Sequence, residues 1–197
     1  MSSKPSASLF CAFVALALPK ALQGALAEEI ARLEKTILGV RWMDARRMHL
    51  TLRFLGWTTR ERLDAMEPHL GVAARACPPV DATVSGLGTF PPSGRARVLW
   101  VGIGLPQSGA TLQAACEAAA LACGFPPERR AFQAHLTLGR WKEPARRRAL
   151  PDLDLGVTRL ERLVLYRTEP ATGEGAVPGV RRAVSASYSK LAVFPLG

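Results

Sequence analysis

The sequence predicts an α+β fold, and three observations carry that reading. Short apolar or alternating runs of strand type are interspersed with three stretches of helical spacing, without the strict strand–helix alternation of a doubly wound sheet. The 197 residues suffice for one domain, or for two small lobes sharing one core. Hydrophobic residues at 48% and charged residues at 21% are ordinary globular values, which excludes disorder as the main state. No low-complexity segment, long linker or clean boundary interrupts the chain, so residues 1–197 read as one domain.

The elements follow in order. Ser8 to Ala15 reads as a buried strand. Pro19 to Lys35 reads as a helix with Leu22, Leu26, Ile30 and Leu33 on one face. Lys4, the apolar run from Leu9 to Leu18 and Ala25-Leu26-Ala27 together imitate a signal peptide. Only one basic residue precedes that run, Lys20 follows it closely, and Pro19 suits a first helical turn, so strand then helix is the better reading. The run is too short to cross a bilayer, and no other stretch approaches that length; no membrane partner is expected.

Val40 to Trp42 and His49 to Leu55 read as strands, and Thr59 as the cap of a second helix that ends before Pro78-Pro79. Val80 to Ser85 alternates as a half-buried strand, Gly86 to Gly94 reads as loop, and Arg97 to Ile103 as strand. Ser108 is the expected cap of a third helix, closed by Gly124. Phe132 to Gly139 reads as strand, Glu143 to Leu150 as a basic stretch with a short helical turn, and Thr158 to Arg167 as strand. A Gly-rich basic loop, Gly173 to Arg182, precedes a last strand, Ala183 to Phe194.

The net charge is +10, with 21 Arg against 5 Lys. Arginine matches phosphate bidentately and stays charged, which suits a polyanionic partner, but a codon bias toward Arg and Ala would give the same count. Cys11, Cys77, Cys116 and Cys123 form no C-x-x-C pair, so neither zinc nor redox spacing is present. Reduced thiols and a cytoplasmic location are expected.

The informative feature is a repeat. Residues 49–52 and 135–138 both read His-Leu-Thr-Leu, and they contain two of the three histidines. Leu-Thr-Leu follows a given His by chance roughly once in a thousand. On a strand, His49 and Thr51 point one way and Leu50 and Leu52 the other; His135, Thr137, Leu136 and Leu138 repeat the pattern. If the two strands lie side by side, two imidazoles and two hydroxyls face one cleft. One neutral imidazole can take a proton from water and one charged imidazole can protonate a leaving oxygen. The hydroxyls and Arg140, five residues after His135, can hold phosphoryl oxygens. No metal and no cofactor are expected, because a zinc site would need a third ligand and no Asp, Glu or Cys lies at short spacing from either motif. His69, beside Pro68 on the second helix, reads as a surface or packing residue.

These residues resemble the two-histidine phosphoesterases, specifically the bacterial and archaeal RNA 2′,3′-cyclic phosphodiesterases once named 2′-5′ RNA ligases. The resemblance rests on MHLTLRFLG from Met48 to Gly56 and on Phe132 with HLTLGR from His135 to Arg140. Leu9 to Ala12, Leu18-Pro19, Phe90-Pro91, RVLWVG from Arg97, LVLYR from Leu163, Tyr188, Leu191 and Phe194 support it. It implies a two-lobed, duplicated fold with antiparallel sheets flanking a central cleft and helices on the outer faces. It implies metal-independent hydrolysis of an RNA 2′,3′-cyclic phosphate end to a 2′-phosphate, by a monomer without an obligate protein partner. By position His49 corresponds to the acid, His135 to the base, Thr51, Thr137 and Arg140 to phosphate ligands, and Phe54 to an aromatic that stacks on the terminal base. Phe54 shares strand parity with Leu50 and Leu52, which equally suits a core role. Ala134 stands where the family often has Pro, which alters strand entry, and the Gly173 to Arg182 loop differs in detail. Arg146 to Arg148, Arg181 and Arg182 suit either an RNA backbone or solvent. The same residues would catalyse the reverse reaction, joining a cyclic phosphate to a 5′-hydroxyl, and a non-catalytic RNA-binding module is the reading from another class.

Overall fold

The computed structural model describes residues 9–169 and 187–197. Nine strands and three helices follow in the described chain. The first half runs β1 (Phe10–Ala17), α1 (Lys20–Leu33), β2 (Val40–Trp42), a 3-10 turn (Ala45–Arg47), β3 (His49–Thr58), α2 (Arg60–Arg75) and β4 (Val80–Phe90). The second half runs β5 (Ala96–Gly104), α3 (Gln107–Ala122), β6 (His135–Ala145), β7 (Asp154–Leu160), β8 (Arg162–Glu169) and β9 (Ser187–Pro195).

The strands form two sheets, ordered β3-β1-β8-β9 and β2-β6-β5-β4-β7, and every pairing is antiparallel. The two histidine strands therefore do not pair. Each lies in its own sheet, and β3 meets β6 across the junction with Cα atoms within 8 Å. The α1 face predicted from 3.6-residue spacing is buried as expected: Leu22, Leu26, Ile30 and Leu33. Together with Leu63, Met66 and Leu70 of α2 and Leu112 and Cys116 of α3, it forms one core with Leu50, Leu52, Leu136 and Leu138. The helices thus cover the leucine faces of the histidine strands. The opposite faces carry His49, Thr51, His135 and Thr137.

Several boundaries differ from those expected, each for a local reason. β4 runs on through the glycines to Phe90, because Gly86 (φ 73°) forms a bulge between Ser85 and Leu87 instead of ending the ladder. Residues 158–167 are two strands: Leu160 pairs with Val80 in one sheet and Leu163 with Leu16 in the other, with Glu161 at the crossover. The alternation of residues 158–161 breaks there, at the two exposed residues Glu161 and Arg162, and gives way to the buried run Leu163–Tyr166. Glu143 to Ala145 finish β6, and no helical turn follows; Arg147 instead donates from Nε to the Gly94 carbonyl at 3.0 Å. Pro106, not Ser108, precedes α3, and Pro19 precedes α1 instead of opening it. Phe132 to Ala134 lie outside β6. Gly124 ends α3 at φ 76° as expected, a conformation that glycine adopts without penalty. The loop expected at Gly173 to Arg182, and residues 183–186 of the last strand, lie outside the described residues.

The four cysteines are free thiols, and burial pushes Cys116 up to about 12. No helix among the described residues is long and apolar enough to cross a membrane.

Candidate active site

The two repeats build the same local structure. In β3, Ala17 pairs with His49, Leu16 with Leu50 and Ala15 with Thr51; the register then skips Leu52, so that Val14 faces Arg53 and Phe13 faces Phe54. The extra residue reverses the alternation. Leu52 and Arg53 are both buried, and Phe54 turns out beside His49 and Thr51, 56% exposed. In β6, Trp100 pairs with Thr137 and Leu99 with Gly139, skipping Leu138. Leu138 and Gly139 are both buried, and Arg140 turns out to the face of His135 and Thr137. The core role open to Phe54 on strict alternation is therefore not the one it takes. All six predicted residues lie on the histidine faces of the two strands.

Both imidazoles hang from the backbone two residues upstream. His49 Nδ1 lies 3.1 Å from the Arg47 carbonyl, and His135 Nδ1 lies 2.7 Å from the Gln133 carbonyl. A carbonyl only accepts, so each Nδ1 carries the hydrogen, and neither Nε2 makes a hydrogen bond among the described residues. The Arg47 carbonyl is presented by the 3-10 turn, whose Asp44 cap accepts from the Arg46 amide at 3.0 Å.

Aromatic rings wall each histidine. His49 stacks on Phe13 at 4.5 Å between centroids and meets the edge of Tyr188 at 5.1 Å. Phe13, Ala15, Val164 and Tyr166 form a small apolar cluster on this face, separate from the main core. His135 meets Phe90 edge-on at 4.9 Å and lies 6.2 Å from Trp100. Trp100 lies over Gly88, where a Cβ would overlap the indole ring, so only glycine fits. The sequence signal for these walls is weak, because they come from strands distant in the chain, and Gly88 falls in the stretch expected to be loop.

Burial pushes the His49 imidazole down to about 4, against the opposing effect of its bond to Arg47. Burial also lowers His135; its bond to Gln133 opposes, and the charge on Arg140 lowers it further. Both rings are therefore neutral in the free protein at pH 7. Arg53, 6% exposed, is turned away from this face. It pairs with Glu117 of α3 at 2.5 Å, donates to the Phe54 carbonyl at 2.7 Å and donates to the Pro126 carbonyl. It thereby ties β3 to α3 and to the segment leading into β6. His69 is exposed on α2, away from these contacts. Among the described residues, no group of three or more His, Cys, Asp or Glu side chains could hold a metal ion.

This architecture has solved counterparts. A protein of Thermus thermophilus superposes with a TM-score of 0.77 at 27% identity, over 94% of this chain and 97% of that one. Escherichia coli LigT shares the fold, with a TM-score of 0.77 at 22% identity, over 96% of this chain and 99% of that one. The class is that of the two-histidine phosphoesterases. In sequence, the chain is 28% identical over 169 residues to the RNA 2′,3′-cyclic phosphodiesterase of Methanothermobacter thermautotrophicus, covering 80% of this chain and 89% of that one. It is 30% identical over 130 residues to the RNA 2′,3′-cyclic phosphodiesterase of Thermotoga maritima, covering 66% of this chain and 69% of that one. Residues 16–100 match the LigT-like phosphoesterase family. The chain belongs to that family.

Proposed function

We propose that this protein hydrolyses RNA 2′,3′-cyclic phosphate ends to 2′-phosphate ends by acid and base catalysis from His49 and His135. The observation that carries the proposal is the matched suspension of the two rings: each Nδ1 is held by the carbonyl two residues upstream, neither Nε2 makes a hydrogen bond among the described residues, and each ring has a threonine two residues on along the same face. The names of the relatives in Methanothermobacter and Thermotoga support the substrate class.

His135 Nε2 takes a proton from water as the water oxygen bonds to phosphorus. The bond from phosphorus to the 3′ oxygen breaks, and His49 Nε2–H supplies the proton to that oxygen. Thr51 and Thr137 donate to the non-bridging oxygens, and Arg140 meets their charge. Phe54 stacks on the terminal base. His49 is neutral in the free protein, so its proton must be held by the substrate: an anionic phosphate beside the imidazole favours the charged form. The basic balance of the chain, +10, suits an RNA partner.

The test is an RNA oligonucleotide with a defined 2′,3′-cyclic end, incubated with the protein in excess EDTA. The expected product is a 2′-phosphate. A 3′-phosphate, or activity that returns only on adding a divalent ion, would overturn the mechanism.

A further inference from the structure

Three large aromatic side chains are exposed among the described residues: Phe54, Trp57 and Phe132. Two of them share the His49 face. Phe54 pairs with Phe13 and Gly56 with Ala12, so Leu55 is skipped and the alternation reverses a second time. Gly56, at φ 70°, makes that turn. Trp57 then pairs with Cys11. Paired residues of antiparallel strands share a face. Along β1, the side chains on that face are Cys11, Phe13, Ala15 and Ala17, the last three being those that pack with or beside His49. Leu55 and Thr58, on either side of this turn, are buried, while Trp57 is 73% exposed.

One face of β3 thus carries His49, Thr51, Phe54 and Trp57 in a line. Trp57 lies three residues beyond Phe54, roughly 10 Å at the usual strand rise, and less where the strand bulges. A single exposed apolar side chain needs no explanation, but this one continues a face that already holds a proposed base platform. A tryptophan is rigid, costs little entropy to order, and stacks on any base.

We propose that Trp57 is a second base-stacking platform, which takes the penultimate base of a single-stranded RNA whose terminal nucleotide lies at His49 and Phe54. The direction of the strand rests on the phosphodiesterase reading; the stacking does not. The preferred substrate is then an oligonucleotide end in place of a lone nucleotide, and the preference is tolerant of base identity.

The first measurement is the ratio of kcat/KM for a dinucleotide 2′,3′-cyclic phosphate to that for a nucleoside 2′,3′-cyclic phosphate. Trp57→Ala should lower this ratio about five- to a hundredfold, the range expected for loss of one base–aromatic stack, and Trp57→Phe should largely keep it. A ratio in Trp57→Ala equal to that of the unsubstituted protein would overturn the proposal. The second measurement needs no turnover: quenching of tryptophan fluorescence by an oligouridylate ending in a 2′-phosphate. Trp57→Phe should abolish most of the saturable quench, and a fully retained quench would overturn the proposal. If the unsubstituted protein hydrolyses neither cyclic phosphate, the phosphodiesterase reading fails, and the quenching titration still decides the role of Trp57.

Discussion

Phe54 and Arg140 hold the same position in the two halves of the molecule. Each follows its histidine by five residues, and each is brought to the histidine face by a skipped residue, Leu52 in β3 and Leu138 in β6. One local device therefore delivers a ring on the His49 face of β3 and a guanidinium on the His135 face of β6. The fold repeats and the chemistry divides.

That division predicts separable losses. Phe54→Ala should raise KM for a cyclic-phosphate oligonucleotide by about five- to a hundredfold, the cost of one base stack of roughly 1–3 kcal/mol, with a smaller change in kcat. Arg140→Gln should lower kcat/KM by about ten- to a hundredfold, since a hydrogen bond to a charged group contributes about 1.5–3 kcal/mol. Steady-state kinetics on one defined oligonucleotide checks both. A loss in Phe54→Ala confined to kcat would contradict the stacking role.

The pH dependence of kcat/KM reports the free protein. One histidine must be neutral and the other charged, so the profile should be bell-shaped. Both rings titrate below the ordinary 6.5, His49 at about 4, so both limbs should lie on the acid side of pH 6.5. The alkaline limb of kcat should lie higher, because bound phosphate favours the charged ring. A profile flat from pH 5 to 9 would contradict the mechanism.

Stability should fall with acid for the same reason. His49 is harder to protonate folded than unfolded, so between pH 6.5 and about 4 the unfolded chain binds more protons and unfolding is favoured as pH falls. Above pH 6.5 both states are neutral at this site and the contribution vanishes. The loss across the window is about 3 kcal/mol. Denaturant titrations at pH 7 and pH 4 should show it, and His49→Gln should remove most of it.

Arg53 should matter for folding more than for contact with substrate. Arg53→Met removes the ion-pair partner of Glu117 and the side-chain donor to the Phe54 and Pro126 carbonyls. It should cost about 3 kcal/mol, toward the low end for a broken buried pair because Glu117 is partly exposed. The midpoint of a urea titration checks this.

How far the sequence could be read follows from the range of each physical rule. A period of two holds over four residues, so the faces of His49, Thr51, His135 and Thr137 were legible. It fails at the first skipped residue, and the skip depends on the partner strand, so the side taken by Phe54 was open on periodicity alone. The walls of Phe13, Tyr166, Phe90 and Trp100 depend on sheet order, which local pattern does not carry. The break at Glu161 does show in the pattern, as two successive polar residues, Glu161 and Arg162, between Leu160 and Leu163, but the sheet to which each leucine belongs does not. The assignment of acid to His49 and base to His135 came from resemblance; the lowered titration suits His135 as the base, and that of His49 is what the chemistry must work against.

The central claim is that two histidines divide two proton transfers, one from water and one to the 3′ oxygen. Its most direct test is turnover of a 2′,3′-cyclic-phosphate oligonucleotide by His49→Ala and by His135→Ala, with binding measured in parallel. Each substitution should lower kcat by about 10²- to 10⁴-fold while binding is largely retained. Full activity in either variant would contradict the account.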